Sequence, residues 1–379
     1  MTQLDNDLAW LTSEARNDPD TAQRIIEAFA ERVQTLQRQT DELRADIALL
    51  KRTSGQNASM EQLQRLKTNL RDLRQLATRQ QLDRDVVSVL TFAGYGMHLP
   101  APAPMEQTLT LLTTSAEPVS ALKPLYMTSG RWLGSLIAIT SNLRMALVTN
   151  MALPVSDNFD WRDAQHIPAL GLSRAERVEA LLTVDELAPP RDLLVVTRQG
   201  WVRALSWSHA ETLAYSGQSI TLPGIGDSPV WLGVNNSDAD ALLLTRNGRW
   251  TRFPLAVVPA TGCAGITLDE GDDVVSALVI DKHVAVVWFV GAEGTVFAVS
   301  ADGLEPHKKA AGKSAPLTRR TMGLTCFGIS ARKTETALLM SNQGDLHVVS
   351  MRGLPIAARP ADIQPLQVSN QRLIAATLL

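Results

Sequence analysis

Positive side chains gather late in this sequence: Lys308, Lys309, Lys313, Arg319, Arg320, Arg332, Lys333 and Arg352 all fall within residues 281–379, which carry 11 basic and 7 acidic groups. The whole chain nets −3, and residues 96–192 and 193–280 net −3 each, so the +4 of the last stretch is a local feature. Ammonium and guanidinium groups so concentrated can neutralise several backbone phosphates, giving salt-dependent, sequence-independent nucleic-acid binding if their loops share one edge. Ordinary solvated loops have the same composition, so charge alone leaves both readings open. No recognition helix or groove-reading ribbon stands out, and base-specific readout is not expected.

Other chemistries have less support. The run Ala310–Ala311–Gly312–Lys313–Ser314 brushes against a phosphate-binding loop, but His307 stands where its first glycine belongs, and the context is a hairpin, not a strand leading into a helix. The histidines at 98, 166, 209, 283, 307 and 347 show no His-x-x-x-His spacing, and ordinary core or surface roles are expected of them. Asp269, Glu270, Asp272 and Asp273 read as a solvated turn in preference to a cation site. Cys263 and Cys326 form no Cys-x-x-Cys pair, and no Gly-x-Ser-x-Gly elbow occurs. The expectation is a protein without cofactor, metal or catalytic site. The polar start MTQLDNDLAW lacks the basic and apolar regions of a signal peptide, and no run of eighteen apolar residues occurs, so a cytoplasmic, membrane-free setting is expected.

The elements that must present these cations recur. One hairpin reads LLVVTRQGWVRAL at 193–205, LLLTRNGRWTRFPL at 242–255, VVWFVGAEGTVFAVS at 286–300 and LLMSNQGDLHVVS at 338–350, with a version lacking the glycine, LIAITSNLRMALV, at 136–148. Gly200, Gly248, Gly294 and Gly344 follow one another at 48, 46 and 50 residues, the period of a blade array. Arg246–Asn247–Gly248 is expected to form a two-residue hairpin loop, because Asn and Gly supply positive φ at little cost. A further strand recurs at 176–184, 228–234, 273–280 and the C-terminus, and residues 106–134 hold part of a sixth blade at most. No Gly-Gly or Trp-Asp dipeptide occurs, so neither kelch nor WD40 repeats are indicated.

Ahead of the blades the periodicity is helical. Ile26, Phe29, Val33, Leu36, Leu43, Ile47 and Leu50 alternate by three and four around Thr40, and Leu63, Leu66, Leu70, Leu73 and Ala77 do so again. Asp18–Pro19 starts the first helix, TSGQNAS ends it, and Ser59 with Gln62 caps the second, which predicts an antiparallel coiled-coil hairpin. It either packs on itself or forms a dimerisation seam. The prolines of LPAPAPM, 99–105, mark a linker.

Two segments resemble the C-terminal β-pinwheel domain of the DNA gyrase A and topoisomerase IV A subunits. TRNGRWTRFPL at 245–255 is similar to that family's turn and basic, proline-containing strand, and TGCAGITLDEGDDVVSALVI at 261–280 to its Gly-Ile, Glu-Gly-Asp and Val-Val segment. The resemblance covers roughly residues 130–379 and implies a domain that binds and bends duplex DNA along its rim. It adds Arg246, Arg249 and Arg252, and Arg203 of the equivalent hairpin, to the candidate DNA-binding residues. In the family a Gly-Gly-Lys box is needed for wrapping. Its counterpart here is HKKAAGKSA at 307–315, in which Ala310 and Ala311 replace Arg or Gly, so wrapping of the gyrase kind is not implied. The chain has no room for the family's breakage domain, and Tyr95, Tyr126 and Tyr215 lie in no nucleophile context.

The expected architecture is therefore α plus all-β: a helical region with a coiled-coil hairpin over 1–95, a proline-rich linker with a partial blade over 96–130, and a β-propeller or β-pinwheel of five to six blades over 131–379. The expected function is non-catalytic, non-specific duplex DNA binding or bending. The alternative is a protein-interaction scaffold assembled through the coiled-coil arm. Oligomeric state stays open.

Overall fold

The computed structural model describes residues 85–100, 109–113, 125–132, 134–155, 164–185, 190–221, 227–235, 238–317, 323–329, 336–350 and 354–379. The coiled-coil hairpin and residues 101–108 of the linker lie outside them, as do Arg319, Arg320, Arg332, Lys333 and Arg352.

The described residues form six blades, each built on a hairpin followed by a third strand. Blade 1 has β1 (Asp85–Thr91), β2 (Tyr95–Pro100) and β4 (Leu125–Arg131), and blade 2 has β5 (Ser135–Thr140), β6 (Met145–Thr149) and β8 (Val178–Val184). Blade 3 has β9 (Asp192–Thr197), β10 (Trp201–Ser206) and β11 (Pro229–Asn235), and blade 4 has β12 (Asp240–Thr245), β13 (Arg249–Pro254) and β16 (Val274–Ile280). Blade 5 has β17 (Val286–Gly291), β18 (Thr295–Ser300) and β21 (Gly323–Ile329), and blade 6 has β22 (Thr336–Ser341), β23 (Leu346–Ser350) and β26 (Leu373–Leu378). The first strand of each hairpin is central, pairing with its hairpin partner on one side and the third strand on the other. Such a strand is covered on both faces, which is why β5, β17 and β22 read as unbroken apolar runs with every residue buried.

The third strands β4, β8, β11, β16, β21 and β26 touch one another in that order and return to β4, so they line the axis and the ring closes. Six hydrophobic clusters correspond to the six interfaces between blades. Phe253 and Leu243 of blade 4 meet Val202 of blade 3, Trp250 of blade 4 meets Phe289 and Phe297 of blade 5, and Val87 and Met97 of blade 1 meet Leu338 and Met340 of blade 6. No isolated blade could bury both faces of its sheet, so each depends on its neighbours.

The outermost position of a blade is filled by the chain of the next. Between the hairpin and third strand of blade 2, β7 (Gln165–His166) pairs with β2 of blade 1. By the same rule β14 (Cys263–Ala264) pairs with β10, β20 (Ala315–Pro316) with β13, and β25 (Leu366–Gln367) with β18. Finally β3 (Leu109–Thr113), from blade 1, completes blade 6 against β23. Three shorter additions are β15 (Ile266–Thr267), which runs parallel to β19 (Gly312–Lys313), and β24 (Ile356–Ala357), parallel to β18. Blade 2 differs: among the described residues its outer edge holds a single bridge, Arg144 to Ser219, beside α1 (Trp207–Ser216), which packs on β6.

Three residues separate the hairpin strands in blades 1, 3, 4 and 5, and four in blades 2 and 6, so Arg246–Asn247–Gly248 is a three-residue loop where a two-residue one was expected. In blade 4 Gly248 N donates to Thr245 O at 3.0 Å with Gly248 at φ 69°, the turn-plus-bulge geometry of three-residue loops. Thr91, Thr140, Thr197 and Thr245 are buried, and the hydroxyl of each accepts from the backbone N–H four residues on. In the hairpin without a glycine Leu143 takes the strained position, at φ 61°.

Blade 1 begins at Asp85, within the region expected to be helical, and its second strand reaches Pro100, within the expected linker. The sheet starts earlier because Val87 and Val89 are buried against blade 6 and Leu90 against blade 2. Among the described residues no helix is long and apolar enough to cross a membrane.

In blade 2 a buried carboxylate ties the turn to the segment before β8. Glu176 accepts from Thr140 Oγ1 and Ser173 N, and pairs with Arg144 Nε at 3.0 Å, while Arg144 Nη2 donates to the carbonyls of Leu170 and Gly171. Burial opposes ionisation, but the hydrogen bonds from Thr140, Arg144 and Ser173 outweigh it and hold the carboxyl below its ordinary range. A depressed folded pKa stabilises above the unfolded value, near 4.3, and that stability is lost as pH falls through the folded pKa. Glu176→Gln should lower stability at pH 7 by roughly 2 kcal/mol, with the gap to wild type narrowing below about pH 4 in urea titrations. A gap constant from pH 7 to 3 would contradict this.

Candidate nucleic-acid interface

Strand exchange decides where the lysines sit. They were expected in the final blades, but residues 304–317, which connect β18 to β21 of blade 5, run along the outer edge of blade 4. His307 N donates to Arg252 O at 2.7 Å, Ala311 N to Gly265 O at 3.1 Å and Leu317 N to Gly248 O at 3.0 Å. Thr267 Oγ1 donates to Ala311 O, Gly312–Lys313 pair with Ile266–Thr267, and Ala315–Pro316 pair with Trp250–Arg249. A segment pinned at so many points keeps a fixed path. Gly312 lies against the His307 ring, where an added Cβ would come within 2.9 Å of Cδ2, and Ala311 adopts φ 59°, which glycine would take without strain. Lys308, Lys309 and Lys313 are exposed and form no ion pair among the described residues.

The arginines of blade 4 lie beneath and beside this segment, with their donors engaged. Arg252 is 15% exposed, bonds Asp240 Oδ2 at 2.7 Å, and donates through Nη1 to the carbonyls of Ala301 and Leu304, holding the start of the exchanged segment. Arg249 donates from Nε to Ser314 Oγ and from Nη2 to Ser314 O, both at 2.7 Å, and meets Asp269 at 3.2 Å. Arg246 pairs with Asp273 at 2.6 Å. Arg203 is in blade 3, where it donates to Thr221 O. Of the candidates described, the structure thus brings Arg246, Arg249, Arg252, Lys308, Lys309 and Lys313 to one blade and sets Arg203 apart.

The acidic turn before β16 has internal partners. Asp272 Oδ1 accepts from the N–H groups of Asn247 and Asp273, Asp269 pairs with Arg249, and Asp273 with Arg246 and Arg198. Arg198, in the turn of blade 3, also reaches Glu179 of blade 2 at 3.7 Å, and Glu179 accepts from the Tyr126 hydroxyl of blade 1. A polar chain therefore links blades 1 to 4 on the turn side. Burial, then the Glu179 charge, push the Tyr126 phenol far above its ordinary pKa, the reverse of what activates a tyrosine nucleophile. Burial also raises Glu179.

His98 was expected to be an ordinary histidine, and its surroundings were not foreseen. It is fully buried, with Ser88 Oγ 3.0 Å from Nδ1, and its Nε2–H donates to Asn150 O. A Ser–His pair can suggest nucleophilic chemistry, but with no solvent access and with Nε2 occupied by a carbonyl this one braces blade 1 against blade 2. Only the ten-residue spacing across the β1–β2 hairpin could have signalled it.

No protein-family model matches the chain. Among curated proteins it is 27% identical over 206 residues to the DNA gyrase A protein of Kosmotoga olearia, covering 50% of this chain and 23% of that one. It is 28% identical over 229 residues to the DNA gyrase A protein of Deinococcus deserti, covering 54% and 26%. The matches thus span about a quarter of those relatives' length. Among solved structures it is similar to a DNA gyrase A C-terminal domain, at TM-score 0.59 and 16% identity over 78% of this chain and 100% of that one. It is also similar to the C-terminal domain of a DNA topoisomerase IV, at TM-score 0.52 and 19% identity over 78% and 94%. The β domain therefore has the six-bladed fold of the gyrase A and topoisomerase IV C-terminal domains.

Proposed function

We propose that this chain, whose blades share the gyrase A and topoisomerase IV C-terminal fold, is a non-catalytic protein that binds duplex DNA along the outer rim of blade 4. The observation that carries the reading is the exchanged segment of blade 5, which presents Lys308, Lys309 and Lys313 as exposed ammonium groups on a backbone fixed by hydrogen bonds. Phosphates meeting such groups release condensed counterions, and no base edge need be read. Arg319, Arg320, Arg332, Lys333 and Arg352, outside the described residues, are proposed to contribute to the same binding by their charge. The coiled-coil hairpin read from residues 18–77 would serve as an arm that orients the blades or recruits a protein partner.

Titrating linear duplex with the full chain between 50 and 300 mM salt tests this. Log K should fall linearly with log salt, with a slope of about −3 or steeper, since each neutralised phosphate contributes about 0.9. Absence of binding at low salt, or binding indifferent to salt, would sink the proposal and favour the protein scaffold.

A further inference from the structure

We propose that Asp269 holds, in the free protein, the place that a DNA backbone phosphate takes on Arg249, so that the duplex binds by exchanging one anion for another. The inference rests on the reading of blade 4 as the DNA-binding rim and goes beyond it by assigning a built-in competitor.

What fixes Arg249 is not its counterion. Nε and Nη2 are held by the hydroxyl and carbonyl of Ser314, both at 2.7 Å, and Ser314 follows Lys313 in the exchanged segment. The guanidinium is 24% exposed and would keep its position if Asp269 left. Asp269 is 61% exposed, its Oδ2 lies 3.2 Å from Nε, and a pair so open to water is held weakly. The other arginines of this blade differ. Asp240 is 19% exposed and pairs with Arg252 at 2.7 Å, and Asp273 is shared by Arg246 and Arg198. Removing Asp240 would strand the largely buried Arg252, and removing Asp273, which is 28% exposed against the 61% of Asp269, would break two ion pairs at once.

Asp269 is also well placed to mimic a phosphate. The parallel register sets Lys313 opposite Thr267, two residues before Asp269. The backbone that carries the carboxylate thus leaves the same short parallel pairing that holds the lysine. Its turn is closed by Asp272 N donating to Asp269 O at 3.1 Å, with Gly271 at φ 75°, which keeps the carboxylate next to the guanidinium it screens. A duplex that displaces it gains the positive charge of a guanidinium already oriented by Ser314 and leaves Asp269 in water, where a carboxylate is comfortable. Exchange of this kind lowers affinity for any anion too weakly charged to compete, without blocking a polyanion.

Asp269→Asn in the full chain isolates the effect, with Asp302→Asn as the control. Asp302 is exposed and lies in the turn after β18, at the opposite end of the strands from the hairpin loops. Duplex affinity measured by fluorescence anisotropy at about 0.1 M salt should rise roughly 5-fold for Asp269→Asn, and the salt slope should steepen by up to about 0.9, because Arg249 then acts without a cation being taken up by the displaced carboxylate. Asp302→Asn should change affinity by less than about 2-fold and leave the slope alone. Equal effects of the two substitutions would overturn the exchange while leaving DNA binding intact. Failure of the wild-type chain to bind at low salt would defeat the blade 4 reading, and the exchange with it.

Discussion

Replacing Lys308, Lys309 and Lys313 together by alanine should weaken duplex binding by about 100-fold or more at 0.1 M salt and flatten the salt slope by about 2.7, since each lysine that meets a phosphate contributes about 0.9 to the slope. The protein should remain folded. All three side chains are exposed, and the hydrogen bonds that fix their segment run through backbone groups of His307, Ala311 and Leu317. Exposed substitutions of this kind normally change stability by no more than about 0.5 kcal/mol each. Binding curves at four salt concentrations, paired with urea denaturation, separate the two effects. Unchanged affinity in a normally stable variant would place the DNA elsewhere on the chain.

The converse is expected at Arg252. Alanine there leaves Asp240 partly buried without its partner and removes the donor to the carbonyls of Ala301 and Leu304. Breaking such a pair from one side should cost about 3 kcal/mol of stability. The exchanged segment starts at those carbonyls, so the loss should show as earlier unfolding and as weaker protection of residues 304–317 in hydrogen exchange. The salt slope of the folded fraction should match wild type, because an arginine engaged inside the fold releases no counterion from DNA. A stable variant with a flatter slope would instead make Arg252 a phosphate ligand. The same arginine type on the same strand is thus assigned opposite roles at Arg249 and Arg252, on the exposure of the carboxylate each one meets.

Much of this architecture could be read from residue order. The hairpins at 193–205, 242–255, 286–300 and 338–350 were legible because strands covered on both faces become unbroken apolar runs, and because each turn needs a residue at positive φ. Blade 1 has the same mark, Thr91 and Gly94 spaced as Thr245 and Gly248 are, but it follows directly on a heptad pattern that drew the boundary too late.

Strand exchange left no such trace. β14, β20 and β25 are two residues long, too short for any periodicity, and their partners come from a different blade. The candidate site suffered accordingly: the lysines were identified by charge, but their position on blade 4 depends on the hydrogen bonds of residues 304–317. The engagement of the arginines was equally hidden, because Arg252 meets groups 49 and 52 residues away and Arg249 meets one 65 away.

Hydrogen exchange of the full chain with and without linear duplex addresses the central claim most directly. New protection should appear in residues 304–317 and in the adjoining strand 249–254, with blades 1, 2 and 6 unchanged. Protection spread evenly over all the blades, or confined to blades away from the exchanged lysines, would contradict it.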